Sequence, residues 1–519
     1  MMLYRLIFFI LTFLSFIKAN AQGCTSVSTG LIPINDLGAG TYMGMTGGLY
    51  PGASNSMPAA HKTAGLLKAS QVQCLSFNGV PDAFNGKIAW LSIGMSNTTQ
   101  ETQQFIPIAN AYTGKNPKLT LVDGAQGGMT AQIISTPSHP NYSIYWSTVA
   151  SRLASAGVTN QQVQIIWLKA ADQALGSPYM QHYDSLVVRY KRIMHELKIR
   201  FPNVKICYLS SRISARYATS PLNPEPYAYL TGWAVKKVIA DQIAGDPSLQ
   251  FTGVGANSPW LSWGCYMWSD GSTPQVANPS VFWNCATDFL TSDYTHPNST
   301  GALKAANLWL QFHTSDPTAK PWFLGAGCIT SSNTGIKFHL SGFYAGNDLM
   351  QPVLYNQGVT GANLQQCDSV EIQFRSPSAP YTLINSVHTV VSTQGEITIL
   401  LPFTGVFYLV VKHRSGLETW SNEPVLCYGE TFYNFTNASN QAFGNNQIQL
   451  DSTTWGFFQG DLNQDRSIDA LDFLILEPDI QTGNSGYLVS DLNGDGTTDI
   501  FDYLVIDASI VSGITSSVP

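Results

Sequence analysis

The segment Lys87-Ile-Ala-Trp-Leu-Ser-Ile-Gly-Met-Ser96-Asn97 decides the fold of the first part of the chain. Its apolar run predicts a buried β-strand that ends in a glycine turn. Runs of the same kind predict three more strands, at residues 119–122, 163–168 and 204–209. Apolar residues at helical spacing predict helices over residues 186–201, 227–243 and 300–312.

Strands that alternate with helices in this way form a parallel sheet with helices on both faces. Ligands of such sheets bind at the carboxyl ends of the strands. Ser96 lies at the carboxyl end of the first of these strands. We therefore expect a three-layer α/β domain whose functional site includes this serine.

The remaining chain has a different pattern. From about residue 334 to 450, short alternating segments such as Glu371-Ile-Gln-Phe374 are broken by Gly, Asn, Ser and Pro, which predicts an all-β, sandwich-like module. A length of 519 residues is consistent with about three domains. The predicted division is a signal peptide at 1–21, an α/β domain at 22–325, a β module at 326–456 and a small α domain at 457–519.

Composition excludes some classes of function. Charged residues make up only 11% of the chain, the net charge is −7, and no basic cluster occurs, so a nucleic-acid partner is not expected. No segment after the N-terminus reaches about 18 uninterrupted apolar residues, so no membrane span is expected.

The N-terminus has the pattern of a signal peptide. Arg5 precedes the apolar run 6–17, and Ala19-Asn-Ala21 supplies a small-x-small cleavage site, which predicts a secreted or cell-surface protein. A lipid on Cys24 is the alternative, although the bulky apolar residue expected three positions earlier is absent. The eight cysteines are compatible with disulfides in an oxidising compartment, but their spacing does not assign the pairs.

Two loops near the C-terminus repeat at an offset of 30 residues. Hard, seven-coordinate calcium takes oxygen ligands from loop positions 1, 3, 5, 7 and 12, position 7 through its carbonyl. The residues at these positions are Asp461, Asn463, Asp465, Ser467 and Asp472, and then Asp491, Asn493, Asp495, Thr497 and Asp502. Two loops in register favour two structural Ca²⁺ ions over a pair of metal-free acidic turns.

The repeats depart from the usual calcium loop in two ways. Asp stands at position 12 in place of Glu, and Arg466 stands where glycine is expected. The pair nevertheless resembles a dockerin type I domain, which implies a cohesin as partner. The preceding Val411-Lys-His-Arg414 and Glu418-Thr-Trp-Ser421 resemble the β module of exported Bacteroidetes proteins, which implies a role in surface sorting and a structural role for calcium.

Ser96 has two chemical partners in the sequence. Asp293-Tyr-Thr-His296-Pro297 comes just before a predicted helix, where His296 is suited to take a proton from Ser96 and Asp293 to orient the imidazole. The order Ser, Asp, His is compatible with a hydrolase triad. Helix capping for the serine and a surface turn for the Asp-x-x-His are the structural alternatives.

Over residues 85–315 this arrangement resembles the SGNH (GDSL-type) hydrolase family, whose last block is Asp-x-x-His-Pro. The resemblance implies a flavodoxin-like fold and an oxyanion hole formed by the N–H groups of Ser96 and Gly128, with no cofactor for catalysis. The family takes a third donor from an Asn, and Ala171 occupies that position here. Lys169 or Gln173 could replace that donor.

Other residues keep two interpretations. The aromatic residues Trp260, Trp263, Tyr266, Trp268 and Trp283 form either core, with Cys265 and Cys285 paired nearby, or a wall of a sugar-binding cleft. Arg212 and Arg216 either contact an acidic substrate or form salt bridges.

The sequence as a whole predicts an exported serine esterase acting on acylated carbohydrate or another extracellular ester. The alternative is a non-catalytic surface or carbohydrate-binding protein on the same fold.

Overall fold

The computed structural model describes residues 23–174, 176–325, 327–328 and 330–519. The predicted signal peptide at 1–21 lies outside these residues. The described chain forms two compact units. The first contains residues up to 57, 90–111 and 121–312, and the second contains residues 58–89, 112–120 and 313–519.

The strands, in chain order, are β1 (Thr41–Tyr42), β2 (Met45–Thr46), β3 (Ile88–Gly94), β4 (Leu119–Asp123), β5 (Val163–Lys169), β6 (Ile206–Leu209), β7 (Trp260–Trp263), β8 (Ser332–Lys337), β9 (Tyr344–Gly346), β10 (Leu349–Met350), β11 (Gln366–Arg375), β12 (Leu383–Ser392), β13 (Glu396–Leu401), β14 (Gly405–His413), β15 (Gly416–Trp420), β16 (Val425–Cys427), β17 (Gly429–Asn434), β18 (Ile448–Gln449) and β19 (Trp455–Gly456).

The α-helices are α1 (Ala59–Ser70), α2 (Ser96–Ala111), α3 (Ala131–Ser135), α4 (Tyr142–Ser155), α5 (Tyr179–Arg200), α6 (Tyr227–Ile243), α7 (Cys285–Asp288), α8 (Ser299–Ser315), α9 (Lys320–Phe323), α10 (Val353–Asn356), α11 (Ala470–Thr482) and α12 (Ile500–Ser512). Within the described residues, no helix combines the length and apolar character needed to cross a membrane.

A five-stranded sheet with the order β4-β3-β5-β6-β7 organises the first unit. The pairs β5–β6 and β6–β7 are parallel. Every residue of β3 and β5 is buried, as expected for strands covered on both faces. The order of the strands reverses beside β3, and a reversal of this kind is where open α/β sheets place their ligands.

The four strands predicted from apolar runs are confirmed, each shifted at its ends by no more than two residues. The helix predicted over 227–243 has these bounds in the structure. The fifth strand, β7, was not predicted, because its residues belong to the aromatic cluster. The five aromatic side chains of that cluster are all buried, which confirms their interpretation as core.

The second unit contains α1, β-sheets and, at its C-terminal end, the two helices α11 and α12. One sheet has the order β12-β11-β14-β15, with β16 also paired to β14, and a second has the order β13-β8-β17. Alternating burial along β13 shows that only one of its faces meets the core. The apolar core between these strands includes Ile336, Phe338, Ile372, Leu409 and Phe457. The chain is thus multidomain with mixed α and β structure, and the predicted borders at 325 and 456 stay predictions.

Two disulfides join distant parts of the sequence. Cys24 pairs with Cys285 in the first unit, and Cys74 pairs with Cys328 in the second. The suggested pairing of Cys265 with Cys285 is therefore wrong. The aromatic residues around Cys265 are held by packing in the core, so no disulfide clamp is needed there.

Candidate active site and candidate metal loops

A sharp turn between β3 and α2 presents Ser96. Gly94 has a φ of +157°, and a Cβ added there would lie 2.0 Å from the carbonyl oxygen of Lys169. The turn therefore requires glycine, because the neighbouring strand β5 approaches the backbone too closely for any side chain. Ser96 is the first residue of α2, and its side chain is partly exposed.

Ser96, His296 and Asp293 form one hydrogen-bonded chain. The Ser96 Oγ lies 2.7 Å from His296 Nε2. His296 Nδ1 lies 2.5 Å from Asp293 Oδ2. Asp293 Oδ1 accepts the backbone N–H groups of Thr295 and His296. The carboxylate therefore fixes both the imidazole and the loop that carries it.

The surroundings keep Asp293 ionised. Burial raises the pKa of this carboxyl group, but the N–H groups of Thr295 and His296 and the imidazole ring together outweigh burial. The pKa of Asp293 lies below its ordinary value as a result. An ionised Asp293 is the form that stabilises a protonated His296.

The two residues predicted to supply oxyanion N–H groups, Ser96 and Gly128, border one cavity. As the first residue of α2, Ser96 has an N–H without an acceptor inside the helix, at its positive end. Gly128 adopts a left-handed φ of +77° and borders the same cavity as Ser96 and His296. Ala171 also borders this cavity and offers no side-chain donor.

Among the hydrogen bonds of the described residues, Ser96 has none to Lys169 or to Gln173, the two proposed substitutes for the missing donor. Lys169 is fully buried, and its Nζ lies 2.5 and 2.7 Å from the two carboxylate oxygens of Glu101 on α2. The suggestion that Lys169 completes the oxyanion hole is therefore wrong, because its ammonium group is used in this buried ion pair. Gln173 borders the cavity and is exposed.

Arg212 holds the loop that carries His296. Its Nη2 and the Nδ2 of Asn97 both donate to the carbonyl oxygen of Thr295, the residue before His296. Its Nε donates to Asn223 Oδ1, and its Nη1 has no hydrogen-bond partner among the described residues. Arg216, in contrast, pairs with Asp270 as the salt-bridge interpretation predicts.

The cavity at Ser96 has a volume of about 150 Å³. Its walls combine polar side chains, backbone and apolar groups, namely Ser96, His296, Gly128, Ala171, Arg212 and Leu222. The predicted site residues Ser96, Gly128, Asp293 and His296 thus lie together. Glu101 was missed by sequence reasoning, although Lys169 in an apolar strand signals that a buried acidic partner must exist.

The two candidate metal loops have almost the same hydrogen bonds. In the first, Asp472 Oδ1 accepts the N–H groups of Leu462 and Asn463. In the second, Asp502 Oδ1 accepts those of Leu492 and Asn493. Asp472 and Asp502 also complete capping boxes at the starts of α11 and α12. The acid at position 12 therefore links each loop to its helix.

Both loops contain buried carboxylates whose surroundings favour a nearby cation. Asp461 is buried, and its Oδ1 has no hydrogen-bond partner among the described residues. Burial, followed by the nearby carboxylates Asp472 and Asp465, raises the pKa of Asp461 to about 6. Burial raises the pKa of Asp502 to about 6 as well. Carboxylates that are buried near one another without a cation are costly at neutral pH.

Two further observations bear on the fit to a cation. Arg466 has a left-handed φ of +76°, close to the +97° of Gly496, so the loop turn forms without glycine. Among the described residues, no three His, Cys, Asp or Glu side chains are grouped to hold a metal by themselves. A calcium loop also uses amide and carbonyl oxygens, so carboxylates alone do not define it. The orphaned Asp461 oxygen and the repeated oxygen-rich pattern fit a hard cation.

Comparison with known proteins identifies the C-terminal region. Residues 459–511 match the family profile of the dockerin type I domain. These residues form a dockerin type I domain. The match lies within the predicted α domain at 457–519, and the dockerin domain contains both loops, α11 and α12. None of the curated proteins with which the chain was compared matches it.

Solved structures give only distant similarities. A type II cohesin-X-dockerin complex from Acetivibrio cellulolyticus aligns with 36% of this chain and 97% of its own, at 13% identity and a TM-score of 0.23. The periplasmic domain of a lipopolysaccharide acetyltransferase from Salmonella ser. Paratyphi A aligns with 49% of this chain and 94% of its own, at 12% identity and a TM-score of 0.22.

Proposed function

We propose that this protein is an exported serine esterase of the SGNH type that works through an acyl-enzyme. The observation that carries the proposal is the hydrogen-bonded chain from Ser96 through His296 to Asp293, with distances of 2.7 and 2.5 Å. A nucleophile in contact with a base that is oriented by a carboxylate is the arrangement needed for acyl transfer.

In the first half of the reaction, Ser96 Oγ attacks the ester carbonyl carbon while His296 Nε2 takes the hydroxyl proton. Asp293 stabilises the imidazolium ion through Nδ1. The N–H groups of Ser96 and Gly128 bind the negative oxygen of the tetrahedral intermediate, each such donor contributing about 10²–10³ in rate. As the intermediate collapses, the C–O bond of the ester breaks and the leaving alkoxide takes the proton from His296.

In the second half, water replaces the alcohol. His296 takes a proton from the water molecule, whose oxygen attacks the acyl carbon on Ser96. The second intermediate breaks the bond to Ser96 Oγ, which regains its proton from His296. The products are a carboxylic acid and the free enzyme, and no metal or other cofactor is needed for these steps.

Covalent labelling tests the nucleophile directly. We expect a fluorophosphonate reagent to add one phosphonyl group per chain, on Ser96, because only an activated serine displaces fluoride from phosphorus at a useful rate. Intact mass and peptide mapping measure this, with hydrolysis of p-nitrophenyl acetate as the parallel assay. Folded protein that neither takes up the label nor hydrolyses the ester would contradict the proposal.

Ala171 favours a second candidate function. Without a third oxyanion donor, the site resembles one that has lost catalytic power and kept its cleft, which suggests a non-catalytic carbohydrate-binding or surface protein. The labelling experiment separates the two candidates, because a binding protein has no need of an activated serine.

We further propose that the dockerin domain holds two structural Ca²⁺ ions. The first would be held by Asp461, Asn463, Asp465, Ser467 and Asp472, and the second by Asp491, Asn493, Asp495, Thr497 and Asp502. Calcium would supply the positive charge that balances the buried carboxylates. Leu462, Ile468, Leu476, Leu492 and Ile506 connect both loops and both helices in one small core, so a change in either loop affects the whole domain.

Calcium is expected to raise the melting temperature of the second unit. Saturating Ca²⁺ at about 100 times its Kd adds about 2.7 kcal/mol per bound ion to the free energy of unfolding. The gain should be larger at pH 7 than at pH 5, because Asp461 and Asp502 have pKa values of about 6 and must be ionised to bind. Calorimetry with calcium or a chelator measures the shift, with Asp461→Asn/Asp491→Asn as the control. Identical melting curves at pH 7 would exclude structural calcium.

A protein partner is proposed for the dockerin domain. Its helices expose matched apolar residues at the repeat offset, Leu471 with Phe501 and Leu474 with Leu504, each at least 55% exposed. Exposed apolar residues on two related helices favour a protein surface as the partner. A cohesin is the partner that the dockerin family suggests, and surface-sorting machinery is the alternative. Either partner, a cohesin or surface-sorting machinery, would meet this protein outside the cell.

A further inference from the structure

A second cavity adjoins the cavity at Ser96. It has a volume of about 190 Å³ and shares the wall residues Gly128, Thr130, Asp172 and Gln173 with the first. Either cavity alone is smaller than the roughly 300–1,000 Å³ of a typical small-molecule site, whereas the two together come within that range. The pair is therefore large enough for one substrate that has a part in each cavity.

The walls of the second cavity are rich in groups that bind hydroxyls. Helix α5 supplies His182, Ser185 and Arg189, whose spacing of three and four residues places them on one face. Gln132 and His139 contribute from α3 and the loop after it. These side chains provide both donors and acceptors, which is what a polyhydroxylated ring requires.

The charged groups of this wall are fixed in place and compensate each other. Arg189 forms an ion pair with Asp172, and the other carboxylate oxygen of Asp172 accepts the N–H of Gln132. The backbone carbonyl of Asp172 accepts from Asn223, which borders the first cavity. Because Arg189 and Asp172 cancel in charge, the cavity suits a neutral polar ligand better than a phosphate or another anion.

His182 is buried, and the described residues around it leave one of its ring nitrogens without a hydrogen bond. The side chain borders the cavity, the residue is only 4% exposed, and its Nε2 has no hydrogen-bond partner among the described residues. Its ring packs edge-on against Tyr227, with centroids 4.8 Å apart. A buried polar atom without a partner is destabilising, and a hydrogen bond to a ligand hydroxyl would remove that cost.

We propose that the second cavity binds the alcohol part of the substrate and that this part is a neutral sugar ring. The small cavity beside Ser96, with Ala171 and Leu222 in its wall, would then hold a short acyl group. The substrate class is a carbohydrate O-acylated with a short chain. This inference rests on the proposed esterase function, because it assigns the two cavities to the two halves of an ester.

The test compares two acetyl esters that differ only in the alcohol. We expect kcat/KM for monoacetylated methyl β-D-xylopyranoside to exceed that for ethyl acetate, and His182→Phe to lower this ratio at least about tenfold. Phe keeps the ring and removes both nitrogens. Ser185→Ala should also lower the ratio. This second variant keeps the test possible if His182→Phe fails to fold. Gln181→Ala, at an exposed position of the same helix, is the matched control.

An unchanged ratio in folded His182→Phe and Ser185→Ala would overturn the assignment of the sugar site. If the wild-type protein hydrolyses neither ester, the esterase proposal fails, and the site is then tested by binding. Saturation-transfer NMR with methyl β-D-xylopyranoside should detect contact with the wild-type protein and weaker contact with His182→Phe. Absence of contact with the wild type would overturn the sugar site as well.

Discussion

Replacing Ser96 with alanine is expected to lower kcat for p-nitrophenyl acetate by roughly 10⁴- to 10⁶-fold. In the proposed mechanism the hydroxyl oxygen forms the acyl-enzyme, and no other hydroxyl is in contact with His296 Nε2 in the described structure. The remaining rate would come from the oxyanion donors and from water activated by His296. Initial rates with purified protein, corrected for the uncatalysed reaction, measure the loss.

The same assay separates the roles of the three residues. Asp293→Asn should lower kcat by about 10⁴, because an amide no longer holds the imidazole in the required tautomer. Ser155→Ala changes an exposed serine at the end of α4 and serves as the matched control. A Ser96→Ala protein that keeps more than a tenth of the wild-type rate would rule out the proposed nucleophile.

Local sequence patterns were sufficient for the elements that carry the site. Buried runs that end in glycine or in polar residues predicted β3, β4, β5 and β6, and the strand ends placed Ser96 correctly. Gly94 was recognisable because a strand followed by Gly-x-Ser needs a turn without a side chain. The triad could be proposed because each of its residues lies next to a predicted strand end or helix start.

Interactions between distant parts of the chain could not be predicted in this way. Strand β7 contains two tryptophans among its four residues, so its apolar pattern merged with the aromatic cluster around it. The pairing of Cys24 with Cys285 depends on a separation of 261 residues, which no local pattern encodes. His182 could not be assigned to a site from the sequence, because the helical pattern of α5 gives its apolar face but not the cavity beside that face.

The repeat in the dockerin domain was predictable for a different reason. The same residue types recur at the same positions in both loops, so each loop supports the interpretation of the other. The Asp at position 12 was therefore recognised despite its departure from Glu. Arg466 was a doubtful position in the sequence, and the structure shows that arginine adopts the left-handed φ there, at a cost of about 1–2 kcal/mol. The bonds from Asp472 and Asp502 to their own helices depend on loop geometry and were not predictable.

Replacing Glu101 with glutamine is expected to destabilise the first unit by about 3–5 kcal/mol, because it leaves Lys169 charged and fully buried without its partner. Burial already lowers the pKa of Lys169 to about 8 in the wild type and raises the pKa of Glu101, so desolvation disfavours both charges. In Glu101→Gln the pKa of Lys169 should fall further. The melting temperature should drop on the order of 10 °C at pH 7.

The sign of the pH dependence distinguishes this loss from a simple packing defect. In the variant, folded Lys169 gives up its proton more readily than unfolded Lys169, so the unfolded state binds more protons and stability rises with pH. The destabilisation should therefore shrink between pH 7 and pH 9, as measured by urea unfolding. Glu196→Gln, which breaks the partly exposed pair with Arg200, should cost about 0–1 kcal/mol.

Glu101→Leu/Lys169→Met should recover much of the stability, because an apolar pair of similar volume has no charge to desolvate. A Glu101→Gln loss that is independent of pH would mean that folded Lys169 has the same charge in wild type and variant, which contradicts the expected fall of its pKa.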